Sequence, residues 1–125
     1  MISEAEYLKG RDQKAPLTEK LRVNMKTLLS RVNKLRFAWN KPMIVTSGYR
    51  PEASNAAVGG KPKSAHLTCE AIDIADPDKE LAGWLLANLP LLEEVGLYME
   101  DPAYTATWCH LQIRAPKSGR RVFKP

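Results

Sequence analysis

The sequence predicts an α+β domain: a small, mainly antiparallel sheet with flanking helices. Three observations predict it. The chain has 125 residues, enough for one domain that buries a core without disulfide staples. Its apolar spacing changes in the order helix, strand, loop, strand, helices, strand, strand, which is neither a regular βαβ alternation nor a strand-only pattern. No internal repeat or low-complexity block interrupts that order.

The elements follow in order. Residues 1–16 form a lead-in, in which Lys9-Gly10-Arg11-Asp12-Gln13-Lys14 and Pro16 allow a short helical turn and then irregular chain. Thr18 is a good N-cap before Leu21, Met25, Leu28, Val32 and Leu35, whose spacing by fours and threes places them on one face of a long helix. Lys20, Lys26, Lys34 and Arg36 mark its wetter faces, and Asn40 with Pro42 ends it. Such a helix should cover one side of the sheet. Met43-Ile44-Val45-Thr46 reads as a buried strand that runs into Ser47-Gly48-Tyr49-Arg50-Pro51. Residues 51–60 suggest a short helix closed by Gly59 and Gly60, and Lys61-Pro62-Lys63 continue as a loop.

The alternation around Ile72-Asp73-Ile74 marks the next strand. Asp76-Pro77-Asp78 reads as an N-cap with proline in the first helical position, ahead of Leu81, Trp84, Leu85 and Leu89. A second short helix, Leu91 to Val95, ends at Gly96. Leu97-Tyr98-Met99-Glu100 is a strand, Asp101-Pro102 opens a loop to Thr107, and Trp108 to Ile113 is the last strand. Residues 115–125 are basic and rich in turn formers: a C-terminal tail, with Phe123 as its anchor.

Composition narrows the function classes. Hydrophobic and charged fractions of 44% and 26% are those of an ordinary globular protein. No apolar run approaches a membrane span, and Met1-Ile2-Ser3-Glu4-Ala5-Glu6 is too acidic for a secretory signal, so cytoplasmic synthesis is expected. Cys69 and Cys109 are then free thiols. The net charge of +5 suits an anionic surface such as a cell-wall polymer, an outer leaflet or a nucleic acid, and charge alone does not choose between them. No dense basic run with interleaved aromatics points to a specific nucleic acid. Nothing suggests more than a monomer.

One stretch concentrates the chemistry: Ser64-Ala65-His66-Leu67-Thr68-Cys69-Glu70-Ala71-Ile72-Asp73-Ile74. Asp73, between two isoleucines of a strand, needs a cation or a hydrogen-bond network if it is buried. The two histidines of the chain, His66 and His110, each lie on or beside a strand. With Asp73 they would fill three positions of a tetrahedral zinc site and leave the fourth for water. Arg50, delivered by a strand just before a proline, can grip a carboxylate with its planar fork.

These motifs also carry a family resemblance. Ser47-Gly48-Tyr49-Arg50, Asn55 with Gly59-Gly60, Ser64-x-His66 with Ala71-x-Asp73, and Trp108-x-His110 together resemble the zinc peptidoglycan peptidases of hedgehog-type fold. That group includes D-alanyl-D-alanine carboxypeptidases and dipeptidases, and phage endolysins that cut the L-alanyl-D-glutamate bond. The resemblance spans roughly residues 42–114. It implies His66, Asp73 and His110 as zinc ligands, Arg50 as a substrate-binding residue and Ser64 beside substrate or metal. The chain departs from the pattern twice. Cys69 stands where the family usually has glycine, and Thr107 stands three residues before the last histidine, where related enzymes often carry the catalytic carboxylate.

The general base must then come from elsewhere. Glu100, at the end of a strand expected to pair with the His110 strand, is the first candidate and Asp101 the substitute. Gln112, on the His110 strand face, could orient water or substrate but cannot act as a base. The expected function is a zinc metallopeptidase that hydrolyses an amide bond in peptidoglycan stem peptides, as a phage or prophage endolysin acting at the cell wall after release or from a phage particle. The alternative is an inactive, zinc-containing wall-binding module, and the third reading is a metal-free hydrogen-bond network of the same three residues.

Overall fold

The structure, a computed structural model, describes residues 1–125. Five helices and five strands build an α+β fold, as the spacing predicts. The long helix α2 (Glu19–Trp39) is capped by Thr18, whose side chain accepts from the Leu21 N–H at 3.2 Å. Asn40 closes it in the left-handed conformation, φ 56°. Met25, Leu28, Leu29, Val32 and Leu35 are its buried stripe; burying each such side chain contributes about 1.5–3 kcal/mol.

The sheet has the order β1-β2-β4-β3-β5. β1 (Val45–Ser47), β2 (Ala71–Ala75), β4 (Trp108–Gln112) and β3 (Tyr98–Glu100) pair antiparallel. Ile72 and Ile74 of β2, and Cys109 and Leu111 of β4, are buried in one core with the α2 stripe. Side chains alternate between the two faces of a strand, so Asp73 and His110 occupy the other face. They are direct cross-strand partners.

Three segments differ from the sequence expectation. Residues 115–125 are not only a tail: β5 (Val122–Phe123) adds to β3 in parallel, at Met99↔Val122 and Glu100↔Phe123. A two-residue strand has no periodicity to detect. The lead-in holds α1 (Glu4–Leu8), closed by a capping box of Ser3 and Glu6. It docks through Tyr7, fully buried, whose hydroxyl donates to Ala71 O at 2.8 Å. Asp76 does not start a helix at Pro77. α4 (Glu80–Ala87) begins later, and the Asp76 carboxylate reaches forward to accept from the Leu81 and Ala82 N–H groups at 3.0 and 2.9 Å. α5 (Leu89–Val95) includes Pro90 in its first turn, where a missing N–H costs nothing. The remaining helix, α3 (Glu52–Ala57), leads to Gly59 and Gly60 of the cleft wall.

Candidate metal centre and its cleft

The outward face of β2 and β4 and the loop of residues 61–70 enclose a cleft of about 380 Å³. Asp73 comes from β2, His110 from β4 and His66 from the loop. One ligand atom from each can be chosen so that all three lie within 4.8 Å of one another, a cluster able to hold a metal ion.

Hydrogen bonds fix how these groups face. His66 Nδ1 is 2.8 Å from Gly48 O. A carbonyl can only accept, so Nδ1 carries the proton and Nε2 of the neutral ring presents a lone pair. Buried Nε2 has no hydrogen-bond partner; it lies 3.2 Å from Asp73 Oδ2, and a lone pair facing a carboxylate oxygen makes no bond. Gln112 sets the second ring. Its amide nitrogen donates to Arg114 O at 2.7 Å, so its Oε1 faces His110 Nε2 at 2.7 Å and accepts from it. His110 Nδ1 then points at Asp73 Oδ1, 2.8 Å away. With neutral rings, three acceptors converge on one point, and only a cation or an added proton reconciles them. The residues therefore fit a divalent metal, with both histidines oriented by partners on their far nitrogens.

Burial would raise the Asp73 pKa, but the hydrogen bond to His110, the close approach of His66 and the charge of both rings hold it far below the usual carboxylate range. Burial disfavours the His110 cation, yet Asp73, aided by Gln112 and Glu100, raises its pKa above the ordinary value. For His66 burial prevails and the pKa falls.

The other expected residues divide. Arg50 lines the cleft, its backbone N–H bonded to His66 O and its buried Nε without a partner. Ser64 also lines it, and its hydroxyl accepts from the His66 N–H at 3.2 Å. Glu100 faces the cleft half-buried, and burial raises its pKa against the charge of His110. Asp101 is not among the lining residues; its carboxylate caps the turn Pro102–Tyr104 by accepting from Ala103 N–H at 2.9 Å. Gln112 lines the cleft too, and within the protein its amide nitrogen donates to Arg114 O while its oxygen faces His110 Nε2. Cys69 holds φ 58° and is fully buried, so this turn accepts a side chain where glycine would be unstrained.

Sequence reasoning missed several wall residues. Arg114 continues the period-two series Trp108, His110, Gln112, a signal that was available. Phe123 lies edge-on to the His110 ring, centroids 6.1 Å apart, and nothing in the sequence places it there. Gly48 is needed for close approach: a Cβ would sit 2.1 Å from Tyr7 O.

A surface of this kind can hold a divalent cation with an anionic ligand beside it, which places the chain by class among candidate metalloenzymes. Comparison makes the class particular. The family model Peptidase M15 matches residues 2–101, and the chain belongs to the peptidase M15 family. The matched residues include His66 and Asp73; His110 lies beyond them. The fold is similar to the crystal structure of the Serratia marcescens L-Ala D-Glu endopeptidase ChiX, with 20% identity, a TM-score of 0.52, and coverage of 83% of this chain and 93% of that one. No curated protein matches the chain in sequence.

Proposed function

We propose that the chain is a zinc metallopeptidase that hydrolyses an amide bond in peptidoglycan stem peptides. The bond is of the D-alanyl-D-alanine or L-alanyl-D-glutamate type. The observation that carries this reading is the convergence of His66 Nε2, Asp73 and His110 Nδ1 in an open cleft of a peptidase M15 member. The similar fold of an enzyme described as an L-Ala D-Glu endopeptidase supports the substrate class. Residues 1–125 act as one domain and as a monomer, in a phage or prophage endolysin setting, on the bacterial cell wall.

His66, Asp73 and His110 would hold the zinc. When bound, zinc supplies Lewis-acid polarisation of the scissile carbonyl and lowers the pKa of water from about 16 to about 7. Glu100 takes the proton of the attacking water and passes it to the leaving amine, a role suited to a half-buried carboxylate whose pKa is raised. Arg50 receives a carboxylate of the stem peptide, which gives its unpartnered guanidinium nitrogen an acceptor nearby. Ser64 shapes the loop and offers a hydroxyl to substrate. Gln112 keeps the His110 proton on Nε2, so its part is orientation of the ring.

The test is muropeptide mass spectrometry on purified peptidoglycan, with metal analysis of the protein. Wild type should carry zinc and release peptides, and EDTA or His66→Ala should abolish release. Release by an EDTA-treated His66→Ala protein would refute the zinc mechanism. Wall binding without any peptide release by the zinc-loaded wild type would favour a binding module.

A further inference from the structure

We propose that Arg114 is a positioning residue for the metal centre, joining the loop that carries His66 to the strand that carries His110. The inference rests on the reading of these histidines as metal ligands, and it assigns a task to a residue outside the ligand set.

The guanidinium makes four hydrogen bonds. Nη1 donates to Lys63 O at 2.7 Å, Nη2 to Thr68 Oγ1 at 2.7 Å and to Glu70 Oε1 at 3.0 Å, and Nε to the same carboxylate oxygen at 3.2 Å. Lys63 precedes His66 and Thr68 with Glu70 follows it, so one planar group grips the loop on both sides of the ligand. Inside that grip, His66 is the residue whose ring must meet Asp73. The Thr68 hydroxyl in turn donates to Glu70 Oε1 at 2.5 Å and contacts Ala65 O at 3.3 Å, so the acceptors of Arg114 are themselves tied together.

The main chain of Arg114 serves the second ligand. Its carbonyl accepts from the Gln112 amide, and that bond turns Gln112 Oε1 toward His110 Nε2. Beside it, Ile113 N–H bonds to Glu70 O at 2.9 Å. One residue thus holds the His66 loop through its side chain and fixes the His110 tautomer through its carbonyl. Partners of this kind behind metal ligands change metal affinity by about 10–100-fold when removed. Lysine cannot substitute fully, because an ammonium is a point charge and lacks the rigid fork that spans three separate acceptors.

The Arg114–Glu70 pair is partly exposed, with side chains at 35% and 21% of full accessibility, so its Coulombic part is worth little to the fold. Its value lies in geometry. Arg114→Met alone would leave the Glu70 carboxylate without its cation and confuse charge with position. The double variant Arg114→Met/Glu70→Gln keeps the pair's net charge at zero and removes the grip.

The experiment titrates Zn²⁺ into EDTA-stripped wild type and double variant against a chromogenic chelator. It also records the visible spectrum of the Co²⁺-loaded proteins and the melting temperature of the metal-free ones. The expected result is a Zn²⁺ dissociation constant raised about 10–100-fold, with a changed Co²⁺ spectrum. A merely structural role predicts a lower melting temperature of the metal-free protein, with wild-type zinc affinity and spectrum in the folded fraction. A change in zinc affinity below about tenfold overturns the inference. Should the double variant fail to fold, Arg114→Lys decides by the same criterion, since it keeps the charge pair. If the wild type itself binds no Zn²⁺, the proposed function fails first; a zinc-binding wild type with an unaffected variant sinks only the role of Arg114.

Discussion

Glu100 and Asp101 are adjacent carboxylates with opposite surroundings, and replacing each should separate catalysis from stability. Glu100→Gln keeps the shape of the side chain facing the cleft and removes its ability to take a proton. General-base catalysis is worth about 10²–10⁴-fold, so the variant should lose about 2.7–5.4 kcal/mol of transition-state stabilisation at about 1.36 kcal/mol per decade. Its zinc content should be unchanged. Its stability should not fall, and the sign follows from burial. The Glu100 pKa is raised above the ordinary 4.5, chiefly by desolvation. A carboxyl raised in the folded state contributes stability below its unfolded pKa and loses that contribution as pH rises through the folded value. In EDTA-treated protein, Glu100→Gln should therefore melt no lower than wild type near pH 7, and the difference should shrink toward about pH 4. Asp101→Ala should do the reverse. Loss of its bond to Ala103 N–H costs about 0.5–2 kcal/mol, while turnover stays near that of wild type. The assay is initial-rate hydrolysis of muropeptides, with thermal melts of the same preparations. A zinc-loaded Glu100→Gln protein that keeps more than a tenth of wild-type turnover, or an inactive Asp101→Asn protein, would refute the assignment of the base.

Gly48→Ala should destabilise the fold by about 1–3 kcal/mol, because the new Cβ would lie 2.1 Å from Tyr7 O; denaturant melts measure it, and a lower zinc affinity should accompany it, since the Gly48 carbonyl orients His66. Both thiols should resist Ellman's reagent at mildly alkaline pH in the native state, as Cys69 is fully buried with its pKa pushed up to about 12 and Cys109 is shifted up by burial as well; rapid labelling of either without unfolding would contradict the packing. Zinc at about 100 times its dissociation constant should stabilise the EDTA-stripped protein by about 2.7 kcal/mol, and His110→Ala should abolish that gain in the same melts. Tyr7→Phe should lower stability by about 1–3 kcal/mol by stripping Ala71 O of its donor, which a urea titration reads directly.

Much of the fold was legible because its long elements carry strong periodic signals. The α2 stripe and its Thr18 cap are local features, and local physics decides them. β5 was not legible, since two residues show no period and their pairing is decided by where β3 lies. The late start of α4 was missed because Asp76 caps from a distance that a sequence window does not reveal. The three clustered residues were visible as two histidines and one strand aspartate, whereas their orientation was not. Gly48 O, Gln112 and Arg114 set it through contacts distant in sequence or through a carbonyl that has no side-chain signature. The cap that Asp101 places on Ala103 N–H was not legible either, because it depends on the turn that Pro102–Tyr104 adopts.

The pairing of Asp73 with His110 across β2 and β4 makes strand alignment and chemistry a single decision. Because side chains alternate, a slip of one residue between these strands would turn Ile72 and Ile74 out of the core and carry Asp73 into it. A one-residue slip therefore cannot keep the core while losing the centre. Burying Ile72 and Ile74 in the core therefore also turns this aspartate and this histidine to one outward face, so the residues that stabilise the fold and those that line the cleft are sorted by the same alternation.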